Sequence, residues 1–257
     1  MLPSRMHQTM EKPRLSVRVF TFVLLAMFGP TLSSVSAQGD SKDRHEQDLP
    51  LQGWAENRQL PVDLTEGSWI SLDVSPDGRT IVFDFLGDLF TIPITGGDAT
   101  QFTSGMGFDA QPRFSPDGES IAFQSDMDGG ENLYVMSLDG ADTTQVTSGG
   151  ANRIESPEWT PDGEYIVVSK GGYRGTLPKL TLFHRKGGGG AELISEPTNL
   201  KTIGAAFGPD ERYIWFSERT GDWQYNAQFP QYQLAVYDRE TGERYTRSSR
   251  YGSGIRP

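Results

Sequence analysis

Three observations predict an all-β fold, a β-propeller of four-stranded antiparallel blades. A hairpin built on Pro-Asp recurs at Pro76, Pro116, Pro161 and Pro209; successive copies lie 40, 45 and 48 residues apart; and no stretch after residue 40 keeps a 3.6-residue apolar period for three turns. The composition agrees. Among 257 residues there are 30 glycines and 16 prolines, and apolar residues come in runs of four to seven. That length supplies enough apolar material for one large core or two small ones.

The first 37 residues stand apart from the repeats. A basic lead (Arg5, Lys12, Arg14, Arg18) precedes the apolar run "VFTFVLLAMF" and the helix breaker Gly29-Pro30, and "VSAQ" then places small residues at Val35 and Ala37. This is the order of a signal peptide, with cleavage expected after Ala37. The apolar run is too short to span a bilayer, which needs roughly 20 residues, so no membrane insertion is expected after cleavage. The expected location is exported and periplasmic. Removing four basic residues and one acidic residue takes the net charge from −11 to −14. Such a surface repels phosphate backbones and argues against a nucleic-acid partner. With no cysteine in the chain, an exported protein here relies on packing alone. Residues 38–60 are polar and mostly aperiodic and read as a linker; residues 61–257 carry the repeats.

Each repeat resolves into four short strands, with the second as the template: "AQPRFS", the turn Pro116-Asp117-Gly118, "SIAFQS", a polar turn, "NLYVMSL", the turn Asp139-Gly140, and "TTQVTS". Proline presets φ at position i+1 of a type I turn, and glycine suits the left-handed residue at i+3. The aspartates of these triplets are therefore read as turn chemistry. The strand after each turn is apolar on both faces, through Ile81 and Phe83, Ile121 and Phe123, Ile166 and Val168, Ile214 and Phe216 on one side and Val82, Ala122, Val167 and Trp215 on the other. Such a strand must be covered twice. Without an amphipathic helix to cover them, the sheets are expected to cover one another in a ring.

Two irregularities carry expectations of their own. The fourth repeat has Glu211 where the others have glycine, so either its turn changes type or this blade is the loosest, since a left-handed non-glycine costs roughly 1 kcal/mol. The terminal "YGSGIRP" reads as the start of a fifth repeat, which points to more than four blades in the complete ring; the alternative is a closed four-bladed propeller.

The phrase x-P-x-[FW]-[ST]-P-D-G-x-x-I-x-F, followed by "LYVMSLDG" and "TTQVTSG", resembles the propeller repeats of TolB and its WD-like relatives. The run from Glu66 to Gly118 is most similar to the N-terminal propeller of exported amidohydrolase-type proteins. That resemblance covers residues 61–257 and implies a non-catalytic exported propeller module, the front of a multidomain metal-dependent hydrolase, with a protein partner or a downstream hydrolase domain as its contact. Two other readings stay open: a free-standing TolB-like interaction propeller, and the propeller of a prolyl-oligopeptidase-like serine peptidase.

The residues themselves offer no chemistry to set beside this. The amidohydrolase metals would need an H-x-H pair, but after residue 37 the only histidines are His45, in the linker, and His184, near a strand end. "YGSGI" lacks the G-x-S-x-G spacing of a serine nucleophile. "RKGGGGAE" (185–192) lacks the lysine and hydroxyl of a phosphate loop, and "DMDGGEN" (126–132) lacks the order of a calcium loop; both are read as hairpin tips. In "GDWQYNAQFPQYQ", Trp223, Tyr225, Phe229 and Tyr232 could form a binding surface or serve as strand and core. No residue is assigned a catalytic, metal-binding or cofactor-binding role, and no cofactor is expected.

Overall fold

A computed structural model describes residues 64–172, 175–208, 211–219 and 232–248. The expected signal peptide and linker, His45, Trp223, Tyr225, Phe229 and the terminal "YGSGIRP" lie outside the described residues. Sixteen strands are described, and they form four sheets of four.

Blade 1 comprises β1 (Leu72–Val74), β2 (Thr80–Phe85), β3 (Asp88–Pro93) and β4 (Thr100–Gln101). Blade 2 comprises β5 (Ala110–Phe114), β6 (Ser120–Ser125), β7 (Asn132–Ser137) and β8 (Thr143–Gln145). Blade 3 comprises β9 (Asn152–Trp159), β10 (Tyr165–Gly172), β11 (Lys179–His184) and β12 (Ala191–Glu192). Blade 4 comprises β13 (Lys201–Phe207), β14 (Tyr213–Arg219), β15 (Gln233–Asp238) and β16 (Arg244–Ser248). Every sheet runs in sequence order with antiparallel neighbours, so each blade is an up-and-down meander. The first strands of successive blades pack on one another, β1 on β5, β5 on β9 and β9 on β13, and so line the inner side. This is propeller architecture as the repeats predict.

The core is divided into three clusters, one at each junction between blades. Val82 and Leu89 of blade 1 meet Phe114, Ile121, Phe123 and Tyr134 of blade 2. Ala122, Leu133, Val135 and Val146 of blade 2 meet Ile154, Trp159, Ile166, Val168 and Phe183 of blade 3. Val167 and Leu180 of blade 3, with Ile194 and Leu200, meet Phe216 and Ala235 of blade 4. Each cluster draws on two sheets, so a blade removed from its neighbours would lose its core. Burying one such side chain contributes about 1.5–3 kcal/mol.

The double burial expected of the second strands is complete only in the interior. All six residues of β6 are buried, whereas β2 buries Val82 and Asp84 toward blade 2 and leaves Ile81, Phe83 and Phe85 half-buried. Together with Leu72, Val74, Phe90 and Ile92 these form an apolar outward face on blade 1, organised by a stacked pair, Phe83 and Phe90, and an edge contact of Phe85 on Phe90. The reason is positional, because among the described residues blade 1 has a sheet against one face only.

The Pro-Asp-Gly turns are more than a φ preset. In blade 2 the Ser115 hydroxyl donates to Asp117 Oδ1 at 2.5 Å, that oxygen accepts the Glu119 N–H at 2.9 Å, and Ser115 Oγ accepts the Ser120 N–H at 2.9 Å. Blade 1 repeats the arrangement with Ser75 and Asp77, and blade 3 with Thr160 and Asp162. Hydrogen bonds from the hydroxyl and then from the backbone hold the carboxyls of Asp77, Asp117 and Asp162 below the usual range. The Ser137-Asp139 turn of blade 2 is built alike. In the fourth repeat the hydroxyl is missing, because Gly208 takes the place of Ser or Thr, yet Gly208 N still bonds Tyr213 O and Glu211 N bonds Gly208 O. Glu211 adopts φ 60° where its counterparts Gly78, Gly118 and Gly163 adopt 70°, 73° and 70°. The backbone course is retained, and Glu211 bears the left-handed strain.

Candidate functional site

The blades have two ends of different character. One carries the Pro-Asp-Gly turns. The other carries the β2–β3 and β6–β7 turns together with the connections that lead into β1 and β5, and it is here that the structure gathers large exposed apolar residues.

Trp69 is fully exposed at φ 62°, Met106 is 83% exposed, Leu86 75% and Phe108 57%; Leu64 and Met127 are exposed beside them. They belong to one surface. Gly87 lies against the Phe108 ring, Gly107 against Met127 and Gly67 against Ile70 and Phe85. A Cβ at Gly67 would stand 2.5 Å from Ile70 Cδ1 and 2.8 Å from Phe85 Cε2, so a larger residue here would push those side chains aside. Between these walls is a cleft of about 750 Å³, lined by Trp69, Phe85, Leu86 and Phe108 with Asp84 and Gln111 at its inner side. Among the described residues its ionisable lining groups are Glu66 and Asp84, and no Lys, Arg or His lines it.

Asp84 also ties blade 1 to blade 2. Its Oδ1 accepts the Ser71 N–H at 2.9 Å and its Oδ2 the Gln111 N–H at 2.8 Å. Gln111 is a non-glycine at φ 56°, within a β-bulge of β5 that turns its N–H toward the preceding blade. The device recurs at each junction. Ser156, at φ 53° in β9, donates its N–H to Gln111 Oε1 at 2.6 Å while Gln111 Nε2 donates to Gln124 Oε1 at 3.2 Å; Gly204, at φ 64° in β13, donates to Ser169 Oγ at 3.0 Å. Three acceptors thus hold three N–H groups of positive-φ residues across the blade junctions, two of them strained non-glycines.

Behind the cleft lies a group of carboxylates. Asp126 Oδ1 accepts the Phe108 N–H at 2.7 Å, Asp88 accepts from Gln101 and Asp128 from Gln145. Asp109 is buried, its N–H donates to Gly87 O, and its Oδ1 has no hydrogen-bond partner among the described residues. The equivalent position in the next repeat is Ile154, a core residue. Burial, then Asp109, raises the Asp88 carboxyl above its ordinary range. Burial, then Asp128, Asp109 and Asp126, pushes the Tyr134 hydroxyl up to about 12. At this end blades 1 and 2 are both apolar and negative.

The inner wall holds one more charged string. Arg113 Nε lies 3.7 Å from Glu158 and its Nη1 donates to Leu72 O, while Asp73 Oδ2 accepts the Phe114 N–H. Burial pushes Glu158 up to about 7, against the pull of Arg113 and with a smaller push from Asp73.

Of the described candidate residues singled out in the sequence, only those of "DMDGGEN" adjoin the cleft. His184 ends β11, where Nδ1 accepts the Lys186 N–H, Nε2 lies 3.6 Å from Glu164 and the ring meets Tyr165 edge-on. Residues 185–190 and 126–131 are hairpin tips, as read. Tyr232 precedes β15, and burial raises its hydroxyl. Among the described residues no group of three or more His, Asp or Glu could hold a metal ion, and no helix is long and apolar enough to cross a membrane. The cleft and the junction acceptors escaped sequence reading. A signal for the first exists in "SGMGF", where Met106 and Phe108 interrupt an otherwise polar connection; for the second it is the polar residue at the fifth position of each second strand, Asp84 and Ser169 accepting across a junction themselves and Gln124 holding the acceptor Gln111.

A family profile described as the tricorn protease N-terminal beta propeller domain matches residues 73–233. Tricorn protease homolog 1 of Streptomyces coelicolor is 30% identical over 94 residues, 37% of this chain and 9% of the relative. The uncharacterized peptidase YuxL of Bacillus subtilis is 30% identical over 194 residues, 62% of this chain and 28% of the relative. The chain therefore spans less than a third of either curated relative. A solved structure of a TolB from Agrobacterium tumefaciens superposes with a TM-score of 0.58 at 20% identity, covering 68% of this chain and 63% of that one, a likeness of fold alone.

Proposed function

The chain belongs to the tricorn protease N-terminal β-propeller domain family, and on that premise we propose that it is the non-catalytic propeller module of an exported hydrolase, docking peptide or protein at its apolar end. The observation that carries this reading is the contrast within the molecule. The described residues assemble no group of His, Asp and Glu that could hold a metal ion, but they do build an open cleft on blades 1 and 2, walled by Trp69, Leu86 and Phe108. Loops held by such a scaffold are where propellers present contact residues.

The curated relatives are a tricorn protease homolog and a peptidase, which favours a peptidase as the catalytic partner. A second reading, an amidohydrolase barrel, is carried by the sequence resemblance of the run from Glu66 to Gly118. Export rests on the signal-peptide pattern of residues 1–37. The mass of the native protein, detected with an antibody raised against residues 64–248, tests the module reading. A species well above 28.4 kDa supports it, and a G-x-S-x-G or an H-x-H in the accompanying sequence then chooses between peptidase and amidohydrolase. A species at or below that mass favours a free-standing interaction propeller. Hydrolysis of amide or peptide substrates by the purified chain would overturn the non-catalytic reading.

A further inference from the structure

We infer that the cleft between blades 1 and 2 binds peptide segments in which a large apolar side chain stands beside a cationic one, a preference resting on the docking role proposed above. Three features on one surface carry this. The walls are aromatic and aliphatic, and exposed: Trp69, Leu86 and Phe108 give flat apolar area at a small cost in side-chain entropy. The polar part of the lining is acidic: among the described residues Glu66 and Asp84 are its only ionisable groups, and the Asp84 oxygens are met by backbone N–H groups rather than by a cation. The ground behind it adds carboxylates that adjoin the lining: Asp88 follows Gly87, Asp109 follows Phe108, and Asp126 Oδ1 accepts the Phe108 N–H.

An acidic peptide entering here would meet like charge on every side. A neutral apolar peptide would gain the walls but leave the carboxylates without a counterion. A peptide with Lys, Arg or a free amino terminus next to Leu, Phe or Tyr satisfies both, with the cation held against Trp69 or Glu66. The opposite end of the blades presents no such pairing. Among the described residues its exposed apolar side chains, Val74 and Ile94 on blade 1, Leu138 on blade 2, Tyr165 on blade 3 and Tyr245 on blade 4, are spread over four blades beside turns that are hydrogen-bonded within themselves.

The test uses the whole chain and three fluorescent hexapeptides read by anisotropy: Leu and Phe alternating with Lys, the same with Glu for Lys, and the same with Ser for Leu and Phe. The first is expected to bind, and the other two about tenfold or more weakly. Phe108→Ser, Leu86→Ser and Glu66→Lys should each weaken the first peptide several-fold, Leu138→Ser at the other end should not, and added salt should weaken it further. Matching circular dichroism and urea midpoints establish that the variants fold. Equal binding of the acidic peptide, binding that survives all three cleft substitutions, or no binding at millimolar peptide would overturn the inference. So would a concentration-dependent dimer abolished by Phe108→Ser, which assigns the surface to a second copy. The native-mass experiment is independent of these outcomes, so the module reading and the cleft's preference can fail separately.

Discussion

The two ends of the blades solve different problems with the same strands. At the Pro-Asp-Gly end, three turns spend one hydroxyl and one carboxylate each on their own backbone, and little is left over for a partner. At the other end the chain forgoes that closure. Asp84 and Gln111 fasten one blade to the next, while Trp69, Leu86, Met106 and Phe108 are left in solvent at a surface the fold does not need. The difference teaches that the self-satisfied turns keep to one end, while the available side chains gather at the other on blades 1 and 2, which is how a repeat can vary its contacts without risking its turns.

The largest expected effect that would break this contrast is Asp84→Ala. It leaves the Ser71 and Gln111 N–H groups without their acceptor, and a buried unsatisfied donor costs 1–3 kcal/mol, so a loss of about 3 kcal/mol is expected in urea unfolding. A cost below ~1 kcal/mol would mean that the junction does not depend on its acceptor.

Glu158, on the wall that joins the two ends, comes next. Its carboxyl is raised from 4.5 to about 7 in the folded protein. Between those values the folded state keeps a proton that the unfolded state has lost, so stability falls as pH rises through that window. Glu158→Gln removes the dependence. Allowing for a side chain 31% exposed, wild type should lose ~2 kcal/mol relative to the variant between pH 4 and pH 8, and urea midpoints across that range would show it. Parallel curves would count against the burial.

At the turn end, Glu211→Gly should stabilise the protein by about 1 kcal/mol by relieving the left-handed residue of the fourth repeat. Ser115→Ala should cost a similar ~1 kcal/mol by opening a complete turn. The smallest effect sharpens the comparison most: Leu86→Ser and Met106→Ser should change stability by less than ~0.5 kcal/mol, because both side chains are largely exposed. A thermal melt that fell by several degrees would reassign them from the contact surface to the core.

The blades were legible because two local signals coincide in every repeat. Pro76, Pro116 and Pro161 mark the turn, and the apolar run after each marks a strand covered on both faces. The Glu211 turn was legible as an anomaly but not as to its outcome, which depends on the strands on either side forcing the same course. Less could be read of the bulges. Gln111 and Ser156 take left-handed backbone although neither is glycine, and the N–H groups this frees find acceptors only in another repeat. The cleft was invisible for the same reason. Its walls come from residues 64–71, 84–87 and 108–111, which no window of sequence brings together.

The division of the core into three junction clusters has a kinetic consequence. Each interior blade is held from two sides and each outer described blade from one, so opening becomes a matter of sequence along the arc rather than of a single event. Amide protons of β6 and β10 should exchange slowest, and those of β4 and β16, whose residues are exposed and paired on one side, fastest. Within the described blades, exposure to proteases then follows how often blades 1 and 4 let go.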